Sequence, residues 1–290
     1  MIGPNALMKR NLAPSARPKA RHTRRRSLRL TVLFGLAALG AGAWAAEPAP
    51  PLPALNSYAQ PPFTLPGEPE GGLAARLVAR LNEEAAEPAG FRVELQPRRR
   101  LEMTLEAADF AGLALFLAPE FLPPELARSG AWSAPVMVDE NLIVSARPLA
   151  LTSLEQLDGL RFGAIAGHVY RRLDPIVEAG RLARADAPDH VANLRKLCLD
   201  RVDFVVISRS ELAGTAPLAA CARPWHFMPF PQPQIILRRV LVRLPDPQRT
   251  QAVLAAVARV ACGERWRAAL ASYGLATVGC AARPAARTPG

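Results

Sequence analysis

The sequence predicts an α/β fold, and three observations carry the prediction. Apolar runs of strand length recur along the chain, among them Gly112 to Leu117, Met137 to Ser145 and Val202 to Ile207. Between them lie stretches whose apolar residues repeat every three or four positions, the period of a helix that packs one face on a core. Glycine or proline punctuates many of the joins. Strands separated by helices imply parallel pairing, and a run apolar at every position, such as Gly112 to Leu117, suits a strand covered on both faces.

Half of the 290 residues are hydrophobic, enough for a substantial core in one or two domains. The formal charge of +11 would suit a nucleic-acid partner, but its distribution does not. Residues 1–45 hold nine of the 36 Lys and Arg and none of the 25 acids, which leaves 27 bases against 25 acids, a net of +2, in the rest. No nucleic-acid partner is therefore expected. Those 45 residues have the order of a cleavable secretory signal: a basic region ending in Arg24, Arg25, Arg26 and Arg29, an apolar run from Leu30 to Leu39, then small residues to Ala43-Trp44-Ala45. A retained anchor is the competing reading, but Leu30 to Ala46 is only seventeen residues and rich in Gly and Ala. No cysteine stands at the cleavage point for a lipid. Arg25-Arg26 suggests twin-arginine export, although Arg29 intrudes where an apolar residue belongs, so the route stays open.

Export makes the cysteines informative. Cys198, Cys221, Cys262 and Cys280 are even in number and lie in the mature part, as expected of disulfides formed in an oxidising compartment. Three pairings are possible; sequence proximity favours Cys198 with Cys221 and Cys262 with Cys280. There is no Cys-x-x-Cys, and His22, His168, His190 and His226 lack ligand spacing, so neither a metal site nor a cofactor is implied.

In chain order, residues 46–57 form a Pro/Ala-rich extended lead-in, and the fold is expected to start at Tyr58. Pro61 to Leu65 reads as a short strand. Gly71-Gly72 precedes a helix with Leu73, Leu77, Val78 and Leu81 on one face. Phe91 to Leu95 alternates as a half-buried strand, and Arg98, Arg99 and Arg100 open a second helix carrying Leu101 and Leu105. Gly112 to Leu117 follows as a buried strand. Ala118 to Trp132 is irregular, and Met137 to Ser145 is a long strand. Arg161 to Ala166 is a strand bounded by Gly159 and Gly167, after which His168, Val169 and Tyr170 are expected to expose the first amides of a helix running to Ala179. Such amides attract anions and carboxylates. Val191 to Leu199 is an amphipathic helix, Val202 to Ile207 a strand, and residues 209–222 a short helix and loop. Gln234 to Leu244 is a last long strand. Helices over Gln248 to Val260 and Glu264 to Tyr273 precede Gly274, a C-terminal stop, and residues 281–290 form a loose tail.

The order of these pieces resembles the periplasmic solute-binding proteins of the amino-acid-binding type, solute-binding protein family 3, the receptors that feed ABC transporters. The resemblance rests on Pro61-Pro62-Phe63 with Gly71-Gly72, on Pro97 with Arg100 and its helix, and on Leu157-Asp158-Gly159-Leu160-Arg161-Phe162-Gly163 ending in Gly167 and Tyr170. It extends to Asn193-Leu194 with Leu197 before Arg201-Val202-Asp203, and to Tyr273-Gly274-Leu275. It implies a periplasmic-binding-protein-like type II fold: two α/β lobes, two crossing strands and a ligand cleft that closes by hinge motion. Residues 58–147 would begin lobe 1, residues 148–223 form lobe 2, and residues 224–280 return to lobe 1. It implies a periplasmic, monomeric protein with a small-molecule solute and an inner-membrane ABC permease as partners.

Departures from the family pattern shape the expected ligand. Such receptors pair the ligand carboxylate with an arginine after the first-lobe strand, where this chain has only Arg128. The lobe 2 strand that would end on an aspartate ends on Ser208, and the turn that would offer a Ser or Thr hydroxyl has His168 and Val169. Without those anchors a desolvated ammonium lacks its partner, so a small polar or anionic solute is expected in place of a free α-amino acid. The ligand-binding candidates are Arg100, as a guanidinium fork for an anion, the aromatics Phe63, Trp132 and Tyr170, the turn residues Gly167, His168 and Val169, and Ser208. Against each stands a structural role: Arg98 to Arg100 as a solvated helix start, the aromatics as core, His168 as a surface histidine. No catalytic residue is assigned. An enzyme on the same fold, resembling exported cyclohexadienyl dehydratases, would need a general acid in the cleft, and nothing sets Glu102 or Asp109 into that role. A receptor that has lost its ligand and transport role is the other alternative.

Overall fold

The computed structural model describes residues 50–68, 71–85 and 87–280. The predicted signal peptide and the 281–290 tail lie outside the described residues. One sheet path threads the described chain. In lobe 1, β1 (Leu52–Asn56) lies between β2 (Phe91–Leu95) and β3 (Gly112–Leu117), all parallel. On the far side of β3 runs β10 (Ile235–Arg243), antiparallel, which also takes the two-residue β4 (Ala131–Trp132). The first residues of β10 then pair with the start of β5 (Met137–Ser145), and the second half of β5 pairs with β8 (Phe204–Ser208) in lobe 2. β8 continues to β6 (Arg161–Ile165) and β7 (Ala183–Ala187), both parallel, while β9 (His226–Pro229) lies along the end of β5. β5 and β10 are thus the strands that cross between lobes.

Helices cover both faces of each lobe. On one face of lobe 1, α1 (Gly72–Glu84), α7 (Pro247–Cys262) and α8 (Glu264–Ala271) bury Leu73, Leu77, Leu81, Val257, Trp266 and Leu270. The predicted 3.6-residue stripe of α1 is what is buried, and truncating Leu77 to alanine would cost about 2–5 kcal/mol. On the other face, α2 (Arg98–Glu106) and α3 (Pro124–Ala127) contribute Leu101, Leu105 and Leu126. Lobe 2 places α4 (Asp174–Glu178) beside a cluster built on Phe162 and Phe204, and packs α5 (His190–Cys198) and α6 (Arg209–Ala219) on the opposite face through Leu194, Leu197 and Ile207.

Three expectations change. Residues 52–56, placed in an extended lead-in, form β1, the strand between β2 and β3. Pro61 to Leu65 is a turn, closed by Phe63 and Thr64 amides on the Gln60 carbonyl, because a proline pair has no N–H for a sheet. The helix expected from His168 starts only at Asp174 and is five residues long. Residues 183–187, for which the sequence predicts no element, form β7, an edge strand. The two disulfides join Cys198 to Cys221 and Cys262 to Cys280, the pairing that proximity favours. The first ties the end of α5 to the chain after α6; the second ties the end of α7 to the last described residues.

Candidate functional site

Where the two crossing strands meet, a charged cluster is buried between the lobes. Asp139 on β5 and Arg238 on β10 sit diagonally across the pairing, since Arg238 stands opposite Met137. Each is 2% exposed, and Arg238 Nε donates to Asp139 Oδ2 at 2.7 Å. Lobe 1 supplies a carbonyl and two aromatic rings to the guanidinium. Nη1 donates to the Phe116 carbonyl at 3.2 Å, and the cation lies 4.7 Å from the Tyr58 ring centroid and 5.1 Å from that of Phe63. From lobe 2, Ser208 Oγ accepts from Nη2 at 3.3 Å.

The start of α6 completes the cluster. Ser210 donates its hydroxyl to Asp139 Oδ2 at 2.5 Å and its amide to Oδ1 at 3.1 Å; with Arg238 Nε and the Glu140 amide, which donates to Oδ1 at 3.0 Å, four donors hold that carboxylate. Ser208 caps the helix by accepting from the Glu211 amide, and its hydroxyl donates to Glu211 Oε2 at 2.6 Å. The other oxygen of Glu211 lies 3.5 Å from His190 Nε2, on the first turn of α5. Burial raises the Glu211 carboxyl, but His190, Arg238 and the Ser208 hydroxyl outweigh it and hold the group at about 2. Burial alone would lower the Arg238 guanidinium; Tyr58, Asp139 and Glu211 push it well above its usual range, so it is a permanent cation. Burial is also the main cause that raises the Tyr58 phenol.

The lobes touch beside this cluster. Gly214 of α6 faces the Pro61-Pro62 turn so closely that a Cβ there would stand 2.2 Å from the Pro61 carbonyl carbon. Arg209 of α6 also pairs with Glu140 of β5.

The predicted site residues divide. Phe63 and Ser208 meet at Arg238. Phe63 is nevertheless fully buried against Tyr58 and Phe116. Gly167 turns the chain after β6 at φ +74°, and Val169 beside it is 69% exposed. His168, on the same turn, is exposed, with its ring 4.9 Å from that of Tyr170. Two of the amides expected to be open are engaged: His168 N–H donates to the Ile165 carbonyl and Tyr170 N–H to Asp174. Tyr170 folds back, its hydroxyl accepting from the Ile165 amide and its ring edge on Phe162, and burial raises its phenol to about 12. Arg100 is exposed on α2, whereas Arg98 is the arginine that reaches inward, pairing with Glu102 and the Phe121 carbonyl. Trp132 packs on the outer lobe 1 cluster and donates to the Ala127 carbonyl. Asp203 pairs with Arg161. Among the described residues no three His, Cys, Asp or Glu side chains converge as metal ligands.

No protein-family model matches the chain, and no curated protein matches its sequence. Solved structures do. A periplasmic binding protein of Salmonella typhimurium with high arginine specificity superposes with a TM-score of 0.56 at 13% identity, covering 77% of this chain and 99% of that one. The chain has the type II periplasmic-binding-protein-like fold. The substrate-binding protein of an amino acid ABC transporter gives 0.56 at 11% identity, over 77% of this chain and 98% of the other. A histidine kinase sensor domain similar to periplasmic binding proteins gives 0.59 at 13% identity, over 78% and 97%. At these identities the likeness concerns the binding-protein fold.

Proposed function

We propose that this protein is an exported, monomeric, non-catalytic receptor that captures a small polar or anionic solute between its lobes and presents it to an ABC permease. The carrying observation is the convergence of His190, Ser208, Glu211 and Arg238 where β5 and β10 cross. Polar side chains from both lobes meet there, and relative motion of the lobes about those two strands would open or close the site. Export is supported by the leader-like start and by two disulfides. The solved neighbours include the binding component of an amino acid ABC transporter, which supports a transport role. A dehydratase would need a proton held ready in the cleft, and Glu211 at about 2 is a carboxylate at neutral pH, which favours binding over catalysis.

The test is a thermal-shift screen of the mature chain against carboxylates, amines, amino acids and neutral polar solutes. At least one polar or anionic compound should raise the melting temperature, since a ligand of the folded state alone stabilises it by mass action. No shift with any compound overturns the receptor reading.

A further inference from the structure

The buried guanidinium of Arg238 has the surroundings of a bound ligand more than those of a surface ion pair. Its acceptors come from three elements: Asp139 on β5, the Phe116 carbonyl on β3 and Ser208 at the end of β8. Two aromatic rings, Tyr58 and Phe63, lie within 5.1 Å of the cation and supply the negative faces that attract it. The backbone of β3 is bent to take part. Phe116 stands at φ +58°, a conformation that disfavours a bulky residue, and its carbonyl accepts from Arg238 and, at 3.5 Å, from the Tyr58 hydroxyl. The β3–β10 register shifts close by, between Arg239 and Leu241.

We propose that Arg238 is a tethered ligand: its guanidinium fills a cation seat built from Tyr58, Phe63, Phe116, Asp139 and Ser208, and by joining groups of both lobes it holds the site shut. Three consequences follow. The wild-type site excludes guanidinium and ammonium solutes, because their place and their counter-ion Asp139 are already taken. Specificity is set by the chain's own side chain. Removing that side chain turns the site into a receptor for small planar cations. The inference deepens the proposed receptor reading and rests on it only in treating the interlobe cluster as a solute site.

The experiment compares mature wild type with Arg238→Ala, measuring melting temperature across a titration of methylguanidinium, with urea as the neutral planar isostere and sodium as the ionic-strength control. Arg238→Ala should show a saturable rise of about 5 °C or more once methylguanidinium is 100-fold above its dissociation constant. Urea should give none, and the wild type no saturable rise with either. Should Arg238→Ala not fold alone, it is refolded with millimolar methylguanidinium, and recovery of folded protein supports the seat. In Arg238→Ala/Asp139→Ala, which lacks the counter-ion, the response should vanish. Absence of a saturable methylguanidinium response or recovery in Arg238→Ala, an equal response in wild type, or its persistence without Asp139 overturns the proposal. A wild-type screen without any solute, beside a methylguanidinium-responsive Arg238→Ala, would overturn the receptor reading and leave the tethered ligand standing.

Discussion

Gly214→Ala tests whether the lobes are in backbone contact. The helix by itself favours alanine: replacing an interior glycine contributes about 1 kcal/mol through reduced backbone entropy. At Gly214 the added Cβ would meet three backbone atoms of the opposite lobe, Pro61 C at 2.2 Å, Pro61 O at 2.3 Å and Pro62 N at 2.4 Å. None of these is the tip of a flexible side chain. Relief of about 1 Å is required to reach ordinary contact distances, and it can come only from displacing the Pro61-Pro62 turn or from rotating α6 and its lobe outward. Overpacking of this kind typically costs about 1–3 kcal/mol, which outweighs the helical gain towards the upper end of that range and leaves a net loss of about 1 kcal/mol or more. For a chain of this size that lowers the melting temperature by about 2–4 °C per kcal/mol. Calorimetry reads the loss, and small-angle scattering reads the accompanying increase in radius of gyration. An alanine variant more stable than wild type, with unchanged scattering, would show that the two backbones do not touch.

Two further perturbations address charge and covalent ties. Glu211 is held at about 2 in the fold against an ordinary 4.5, so its contribution is full above pH 4.5 and is lost as the pH falls towards 2. The ceiling on that contribution is about 3 kcal/mol, because each tenfold change in acidity corresponds to about 1.4 kcal/mol. Melting temperatures between pH 5 and pH 3 should therefore decline less steeply in Glu211→Gln, and parallel curves would refute the assignment. The Cys198–Cys221 and Cys262–Cys280 bridges join residues 23 and 18 positions apart, each stabilising by about 3 kcal/mol. Native oxidised protein should show no titratable thiol and reduced protein a clearly lower melting temperature; thiols reactive in the native protein would contradict the pairing.

How legible the molecule is in its sequence depends on what marks each element. Strands rich in apolar residues, such as Gly112–Leu117 and Met137–Ser145, and helices with a clear stripe, such as α1, are specified locally. β1 is not: Leu52-Pro53-Ala54-Leu55-Asn56 has a proline and no β-branched residue, and its strand state comes from its neighbours on both sides. β7, Ala-Arg-Ala-Asp-Ala, is an edge strand whose polar residues look like loop. The helix expected after Gly167 fails because Tyr170 and Asp174 cap the turn internally, a contact no periodicity reveals. At the site, Ser208 is visible as a strand end, but Asp139 and Arg238 are not. A charge within an alternating strand reads as solvent-facing until the partner strand is known. One signal is present: Asp139 falls two residues after Met137, on the buried phase of β5, and β10 carries opposite charge amid apolar residues.

The position of the pair also dictates what hinge motion can and cannot break. Asp139 and Arg238 both sit on the crossing strands, within the stretch where β5 and β10 pair with each other, so rotation of one lobe against the other leaves their 2.7 Å bond intact. What such rotation separates is the lobe 1 surroundings, Tyr58, Phe63 and the Phe116 carbonyl, from the lobe 2 surroundings, Ser208, Ser210 and Glu211. A bare guanidinium–carboxylate pair exposed by opening regains water, whereas the rings and the Phe116 carbonyl lose their partner. A solute can therefore shift the equilibrium only by interacting differently with the two arrangements, and in the closed one it must add contacts to a cation and a carboxylate that already satisfy each other. Groups at the edge of the cluster outside that pair, Glu211 with His190, are where such contacts can be made. Substitution at Glu211 should accordingly change solute affinity, while substitution at Arg238 should change which class of solute is admitted.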